Sequence, residues 1–324
     1  MGTAKTGKVG MAMIGCGQIA RSHLRAIAEN QHAELVAAMD VVEEKAAATA
    51  EEYDAKLYTS VEEVLADDRV DAVVLPLPHH LHHPIAIQSA EAGKHILVEK
   101  PMALNLSEAK EMVKAAESAG VLLMVGQSTR FRPEVWEAKN IIASGKLGKI
   151  QQCIHQRAWF TERLSTDWRY SSEQCGGLYL PIFSSHDVDM VLWLMDAAPV
   201  TVHSTLRSFT KLTDTESDGV VNMELEGGGI ASLAFSMNSH ISIHSALFIG
   251  TEGSLLIEGS KLSVNGEAVS LEKQNQFVPQ MQEFVNAIRE SREPMPSGRD
   301  VLPVVAVIDA AKESDATKSV VKIG

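Results

Sequence analysis

The stretch Val9–Gly10–Met11–Ala12–Met13–Ile14 runs without a break into Gly15–Cys16–Gly17–Gln18–Ile19–Ala20. An apolar strand that ends in G-x-G-x-x-A and opens a helix leaves a chain few folds to choose from. Gly15 permits the tight turn, Gly17 lets the backbone approach a pyrophosphate, and Ala20 keeps the helix close to the sheet. The helix start at Gln18 and Ile19 then offers amide hydrogens and a partial positive charge to the phosphates. Such a glycine pattern also occurs as a plain structural turn, so the context carries the reading. Asp40 closes the next strand, 20 residues after Ala20, where a carboxylate accepts hydrogen bonds from ribose hydroxyls. The competing role for Asp40 is to cap the helix that follows. No Lys or Arg comes after it before Lys45, so a 2′-phosphate would meet a negative charge without a partner, and NAD is favoured over NADP.

The neighbouring sequence repeats the strand–helix rhythm. Strand-type runs at Val9–Ile14, Glu34–Met39, Ala72–Leu77, His95–Val98 and Val121–Val125 alternate with helical patterns at Ile19–Asn30, Val42–Tyr53, Pro84–Ala92 and Ser107–Ala119. Ser107 is expected to cap the last of these helices and Gly120 to stop it. Alternation at this spacing implies a parallel sheet with helices on both faces, doubly wound by right-handed crossovers. Past Ile150 the rhythm changes. Ile150–Ala158, Val200–Ser208, Val220–Leu225, Ile230–Asn238, Ser242–Gly250 and Ser254–Ile257 are β-type runs, most of them following one another without helices between. Consecutive strands mean an antiparallel sheet. The sequence therefore predicts a dinucleotide-binding α/β domain over residues 1–126 and an α+β domain with an open, mostly antiparallel sheet over 127–324.

Composition excludes several classes. With 324 residues, 45% apolar and 22% charged, the chain is an ordinary globular one rather than disordered or fibrous. A net charge of −13 lacks the basic footprint of a nucleic-acid binder. No apolar run approaches the ~20 residues a membrane helix needs. Cys16, Cys153 and Cys175 are far apart and form no C-x-x-C, so neither a disulfide framework nor a zinc knuckle is encoded. Met1–Gly2–Thr3–Ala4–Lys5–Thr6 matches the permissive myristoylation pattern, and Lys5 and Lys8 before Val9–Ile14 mimic a short signal peptide. That apolar run ends in the glycine turn, which a cleaved leader would waste. Asn105–Leu106–Ser107 fits a glycosylation sequon that has no meaning in the cytoplasm, the expected location.

Further motifs follow in order: Glu99–Lys100–Pro101, Gly126–Gln127, Arg130–Phe131–Arg132–Pro133, Gly145–Lys146–Leu147–Gly148–Lys149–Ile150, Trp168–Arg169, Gly176–Gly177 and His186–Asp187–Val188–Asp189. With the glycine loop, these resemble the glucose–fructose oxidoreductase/inositol dehydrogenase/rhizopine-catabolism (Gfo/Idh/MocA) family over nearly the whole chain. The resemblance implies a Rossmann domain followed by an α/β domain whose open sheet pairs into homodimers or homotetramers. It also implies hydride transfer between NAD and a secondary alcohol of a sugar, sugar derivative or cyclitol. Two alternatives are a cofactor-retaining glycosidase or epimerase working through a transient keto sugar, and a non-catalytic NAD-binding sensor.

The resemblance also suggests roles. Lys100 follows a parallel strand, at the edge where such sheets bind ligands. Its ammonium would stabilise the reacting oxygen, and a cis bond to Pro101 is expected. Glu99 and His82 are placed on the cofactor side. His186 would take the hydroxyl proton, since an imidazole with a pKa of about 6.5 suits that task; otherwise it is a helix-start histidine satisfied by backbone. Asp189, three residues on, would orient His186 or touch substrate. Trp168 and Arg169 would border the substrate, Arg169 forking onto a hydroxyl or carboxylate, or else serve packing. The family often has an aspartate four residues before its histidine; here stands Ile182. Either His186 and Lys100 carry the proton alone, or Tyr179, Asp187 or Glu173 stands in, or the ligand is bound without turnover. The cluster His79, His80, His82 and His83 invites a metal reading, but the expectation is one cofactor-side histidine, three loop residues and no metal.

Overall fold

In the first part of the chain, apolar runs buried along their whole length become parallel strands, because helices cover both of their faces. The computed structural model describes residues 7–324; the myristoylation pattern and Lys5 lie outside the described residues. The elements are β1 (Val9–Ile14), α1 (Ala20–Ala28), β2 (Ala33–Met39), α2 (Glu43–Tyr53), β3 (Lys56–Tyr58), α3 (Val61–Leu65), β4 (Ala72–Leu75), α4 (His82–Glu91), β5 (His95–Glu99), α5 (Leu106–Ala119) and β6 (Leu123–Gly126). Their sheet has six strands in the order β3-β2-β1-β4-β5-β6, all parallel. This is the Rossmann order, and ligands bind such sheets beyond the carboxyl ends of the strands. Every residue of β1 is buried.

Helix α5 starts one residue before the expected point. Its cap is Asn105, whose side chain accepts the Glu108 N–H at 3.0 Å, while Glu108 accepts the Leu104 N–H in return. A reciprocal cap satisfies two orphan donors where Ser107 would satisfy one. Gly120 ends the helix at φ +69°, as expected.

The second unit holds α6 (Pro133–Ala143), β7 (Ile150–Phe160), α7 (Ser172–Cys175), α8 (Ser185–Met195), β8 (Pro199–Arg207), β9 (Asp218–Leu225), β10 (Ile230–Ser236), β11 (Asn238–Gly250), β12 (Ser254–Glu258), β13 (Lys261–Val264) and β14 (Glu267–Val269). After α9 (Phe277–Glu290) and α10 (Gly298–Thr317), β15 (Val321–Lys322) pairs with β8. The nine strands run β14-β13-β12-β11-β7-β10-β9-β8-β15. All pairings are antiparallel except that of β7 with β10. Burial alternates along β8, β9 and β10, the signature of a sheet covered on one face. On the covered face, Ser204 of β8, 2% exposed, donates to the Ala311 carbonyl of α10. On the other face Ile154, Phe160, Val220 and Ile243 are exposed.

The chain divides between Ser128 and Thr129, and Asn275–Leu302 groups with the first unit. From the sequence rhythm the second domain is expected to run from 127 to 324. The return has a packing cause: α9 buries Met281, Phe284, Val285 and Ile288, and Phe277 meets His23 of α1 edge to face at 5.2 Å. Asn30 donates to Gln282 at 3.2 Å, and Met124 of β6 bridges Ser297. Among the described residues no helix is long and apolar enough to cross a membrane.

Candidate functional site

At the carboxyl end of β1, Gly15 has φ +102°, a conformation that L side chains avoid. A Cβ there would also press on Leu77 Cδ2 at 2.9 Å. Gly17 differs: a Cβ on it would meet nothing within 4 Å. Its role is therefore to leave space above the loop rather than to relieve a clash inside the protein. Gln18 and Ile19 are exposed at that mouth. Helix α1 has no side-chain N-cap and no acidic residue in its first turn. Its leading amides thus keep their capacity for an anion, and no carboxylate repels one. These features fit a dinucleotide pyrophosphate.

Asp40 follows β2 and does more than cap a helix. Its Oδ1 accepts the Val42 N–H at 2.8 Å, and its Oδ2 accepts the Cys16 N–H at 2.7 Å. One carboxylate thus ties the glycine loop to the start of α2. Each ionised oxygen has a further lone pair for a ribose hydroxyl.

Lys100 follows β5 at the same edge of the sheet, half-buried, and its peptide bond to Pro101 is cis. Glu99 is buried beneath it. The Glu99 carboxylate contacts His23 Nε2 at 2.7 Å and accepts the Lys100 N–H at 3.2 Å. Burial works against its charge, yet the hydrogen bond from His23 and the neighbouring Lys100 charge hold it below the usual carboxylate range. Glu99 is accordingly a support for Lys100. His82 is fully buried, its Nδ1 2.7 Å from the Pro101 carbonyl and its Nε2 3.0 Å from that of Leu77. Burial lowers its pKa, while the two backbone carbonyls work in the opposite direction. His82 therefore braces the Lys100–Pro101 turn through the backbone. Of the other loop imidazoles, His83 pairs with Glu111 at 2.9 Å.

In the second unit, His186 lies in the first turn of α8, half-buried. Asp189, three residues on, is tied to Arg130. Both its oxygens accept from Arg130, at 2.7 and 2.8 Å, in a fork that is buried on both sides. The sequence showed Arg130 only as part of a motif, and nothing local marked it as the partner of Asp189. Ile182 is 1% exposed, within a π-helical turn from Leu180 to Ser184. Of the three stand-ins, Glu173 is exposed. Tyr179 and Asp187 are buried and bonded to each other, the phenol donating to Oδ2 at 3.1 Å. Asp187 also accepts from Arg157 at 3.0 Å and faces His155 at 3.5 Å. Burial opposes its charge, but His155 and Arg157 hold its pKa low. Trp168 and Arg169 share a 3-10 turn, with the guanidinium 5.3 Å from the indole. Arg169 donates to Ser165, and burial lowers its pKa. Its Nε is buried without a hydrogen-bond partner, a donor that an incoming oxygen would satisfy.

Comparison with known proteins agrees with this geometry. Residues 9–127 match the family model described as an oxidoreductase family with an NAD-binding Rossmann fold. Residues 135–256 match the GFO/IDH/MocA C-terminal domain. A 2,7-anhydro-N-acetylneuraminate hydratase of Mediterraneibacter gnavus is 31% identical over 80% of this chain and 70% of its own length. A D-xylose 1-dehydrogenase [NADP(+)] of Haloarcula marismortui is 27% identical over 99% and 95%. Among solved structures, the WlbA dehydrogenase of Bordetella pertussis, in complex with NADH and UDP-GlcNAcA, superposes with a TM-score of 0.89 at 26% identity, covering 99% of both chains.

Proposed function

Because the chain belongs to the GFO/IDH/MocA oxidoreductase family, we propose that it is an NAD-dependent dehydrogenase of a sugar, sugar derivative or cyclitol. The observation that carries this reading is Lys100 at the carboxyl edge of the same parallel sheet as the Gly15–Ala20 loop and Asp40. A nicotinamide held by the Gly15–Ala20 loop and Asp40 would supply the hydride acceptor for the carbon bearing the secondary hydroxyl. The Lys100 ammonium donates a hydrogen bond to that oxygen and stabilises its alkoxide character. His186 takes the hydroxyl proton, so that the C–H pair leaves as hydride and the O–H proton is held on the imidazole. In the reverse direction both groups return what they took. Arg169 and Trp168 hold the substrate, the orphaned Nε supplying a donor for one of its oxygens.

NAD rather than NADP is the cofactor of this reading, since the Asp40 carboxylate would repel a 2′-phosphate and no cation follows until Lys45. The protein works in the cytoplasm as a homodimer or homotetramer. The absence of a disulfide among the described residues suits a reducing compartment, and the exposed apolar face of the nine-stranded sheet suits self-association. The test is absorbance of NAD or NADP reduction by purified protein over a panel of aldoses, uronates, aminosugars and inositols. NAD reduction with at least one member is expected. Cofactor that copurifies and is never consumed, with no turnover on the panel, would overturn the dehydrogenase reading.

A further inference from the structure

Strand β7, helix α8 and strand β11 bring His155, Asp187 and His244 together inside the second unit. One potential ligand atom from each lies within 4.8 Å of the other two. The His155 side chain is 1% exposed, and its Nε2 points to Asp187 Oδ1 at 3.5 Å without making a hydrogen bond. A buried ring nitrogen left in this way is costly. The rings of His155 and His244 meet edge to face at 5.9 Å. His244 opens onto a cavity of about 480 Å³ formed by the ends of β7, β11 and β12.

We propose that His155, Asp187 and His244 form a three-ligand site for a divalent transition metal of the zinc class, with its fourth position open to that cavity. Two imidazoles and one carboxylate suit zinc or cobalt and not calcium or magnesium, which take oxygen ligands. Ligand atoms of a tetrahedral zinc site lie about 3.3 Å apart, so the cluster closes around an ion with small side-chain movements. Half-buried His244 has room to make them. Tyr179 holds Asp187 by Oδ2 and leaves Oδ1 turned toward His155, the outer support that metal carboxylates commonly have. Arg157 is the competitor, its guanidinium neutralising Oδ1 at 3.0 Å. It already lies 5.3 and 5.5 Å from the rings of Trp159 and Phe183, faces that retain it once a metal takes its place. The site is independent of which sugar the enzyme turns over.

The probe is Co2+ added to the full-length, metal-stripped protein, followed by visible absorption and by metal content after dialysis. One cobalt per chain with intense tetrahedral d–d bands, displaced by Zn2+, is expected. His244→Gln weakens binding at least a hundredfold, while Tyr179→Phe costs about tenfold. Arg157→Gln tightens binding, because a neutral side chain no longer competes for Oδ1. A double His80→Gln/His83→Gln variant binds as the parent does. Retained circular dichroism and NAD affinity in each variant separate a lost ligand from a lost fold. No stoichiometric cobalt, binding that survives His244→Gln or vanishes in the loop variant, or equal or weaker binding in Arg157→Gln would each overturn the proposal.

Discussion

Asp189 and Lys100 both sit in motifs that suggest chemistry, and their surroundings assign them different work. Asp189 is spent on Arg130 in a buried fork. Removing one charge of such a pair strands the other, at a cost of about 3–5 kcal/mol. Asp189→Asn is therefore expected to lower the urea unfolding free energy by that amount, with kcat falling less than tenfold in the fraction that stays folded. Lys100 is only half-buried and braced by Glu99 below it. Lys100→Met should cut kcat/KM by about 10²–10³, the usual loss of one charge-stabilising donor, while the NAD Kd measured by fluorescence stays within a few-fold. His82 carries a pH signature. Burial depresses its folded pKa below 6.5, so the unfolded chain takes up its proton first and stability is lost as pH falls below about 6.5. Glu99, also depressed, adds stability above 4.5 that is lost as pH falls further through its folded value. The urea midpoint should decline in two stages on acidification, and His82→Gln should reduce the first, to which His155 and His244, also depressed by burial, contribute the rest.

The glycine loop shows how far an element can be understood from its residues alone. Gly15 and Gly17 look equivalent in the motif, but only Gly15 has a left-handed backbone and a crowded Cβ direction. Gly15→Ala should destabilise the fold itself. Gly17→Ala should leave the melting temperature unchanged and weaken NAD binding at least tenfold, because its space is taken up only by the pyrophosphate. Calorimetry of the two variants with and without NAD checks both statements. Helix types and most strands were legible because hydrophobic period and the Gly120 stop are local signals. The α5 cap was not, since Asn105 and Ser107 are both good caps and the reciprocal bond to Glu108 decided between them. Strand β15 is two residues long, too short to show a period.

At the scale of the whole molecule, burial alternates along the second sheet's strands, and Ile154, Phe160, Val220 and Ile243 stand exposed on its less buried face. Large apolar residues exposed together on one sheet face mark association. A double Ile154→Glu/Phe160→Glu variant should shift the protein to monomer in light scattering, with the far-ultraviolet spectrum kept. A parent protein that is already monomeric would refute the proposed oligomer. The return of Asn275–Leu302 to the first unit is a second feature at this scale. Amphipathic α9 needed a partner, and nothing in its own residues says that the partner is α1, some 250 residues earlier in the chain.

What the sequence by itself determined was the Rossmann unit, the glycine loop, the place of Asp40 and the strand-rich second half. These rest on short-range rules: periodicity, glycine conformation and the order of strands and helices. The tertiary structure alone decided which carboxylates are free to act. Arg130 and Asp189 are 59 residues apart, and His155, Asp187 and His244 come from three separate elements. Pairing of buried charges depends on which side chains share one low-dielectric volume, and that is settled only when the sheet closes over its helices.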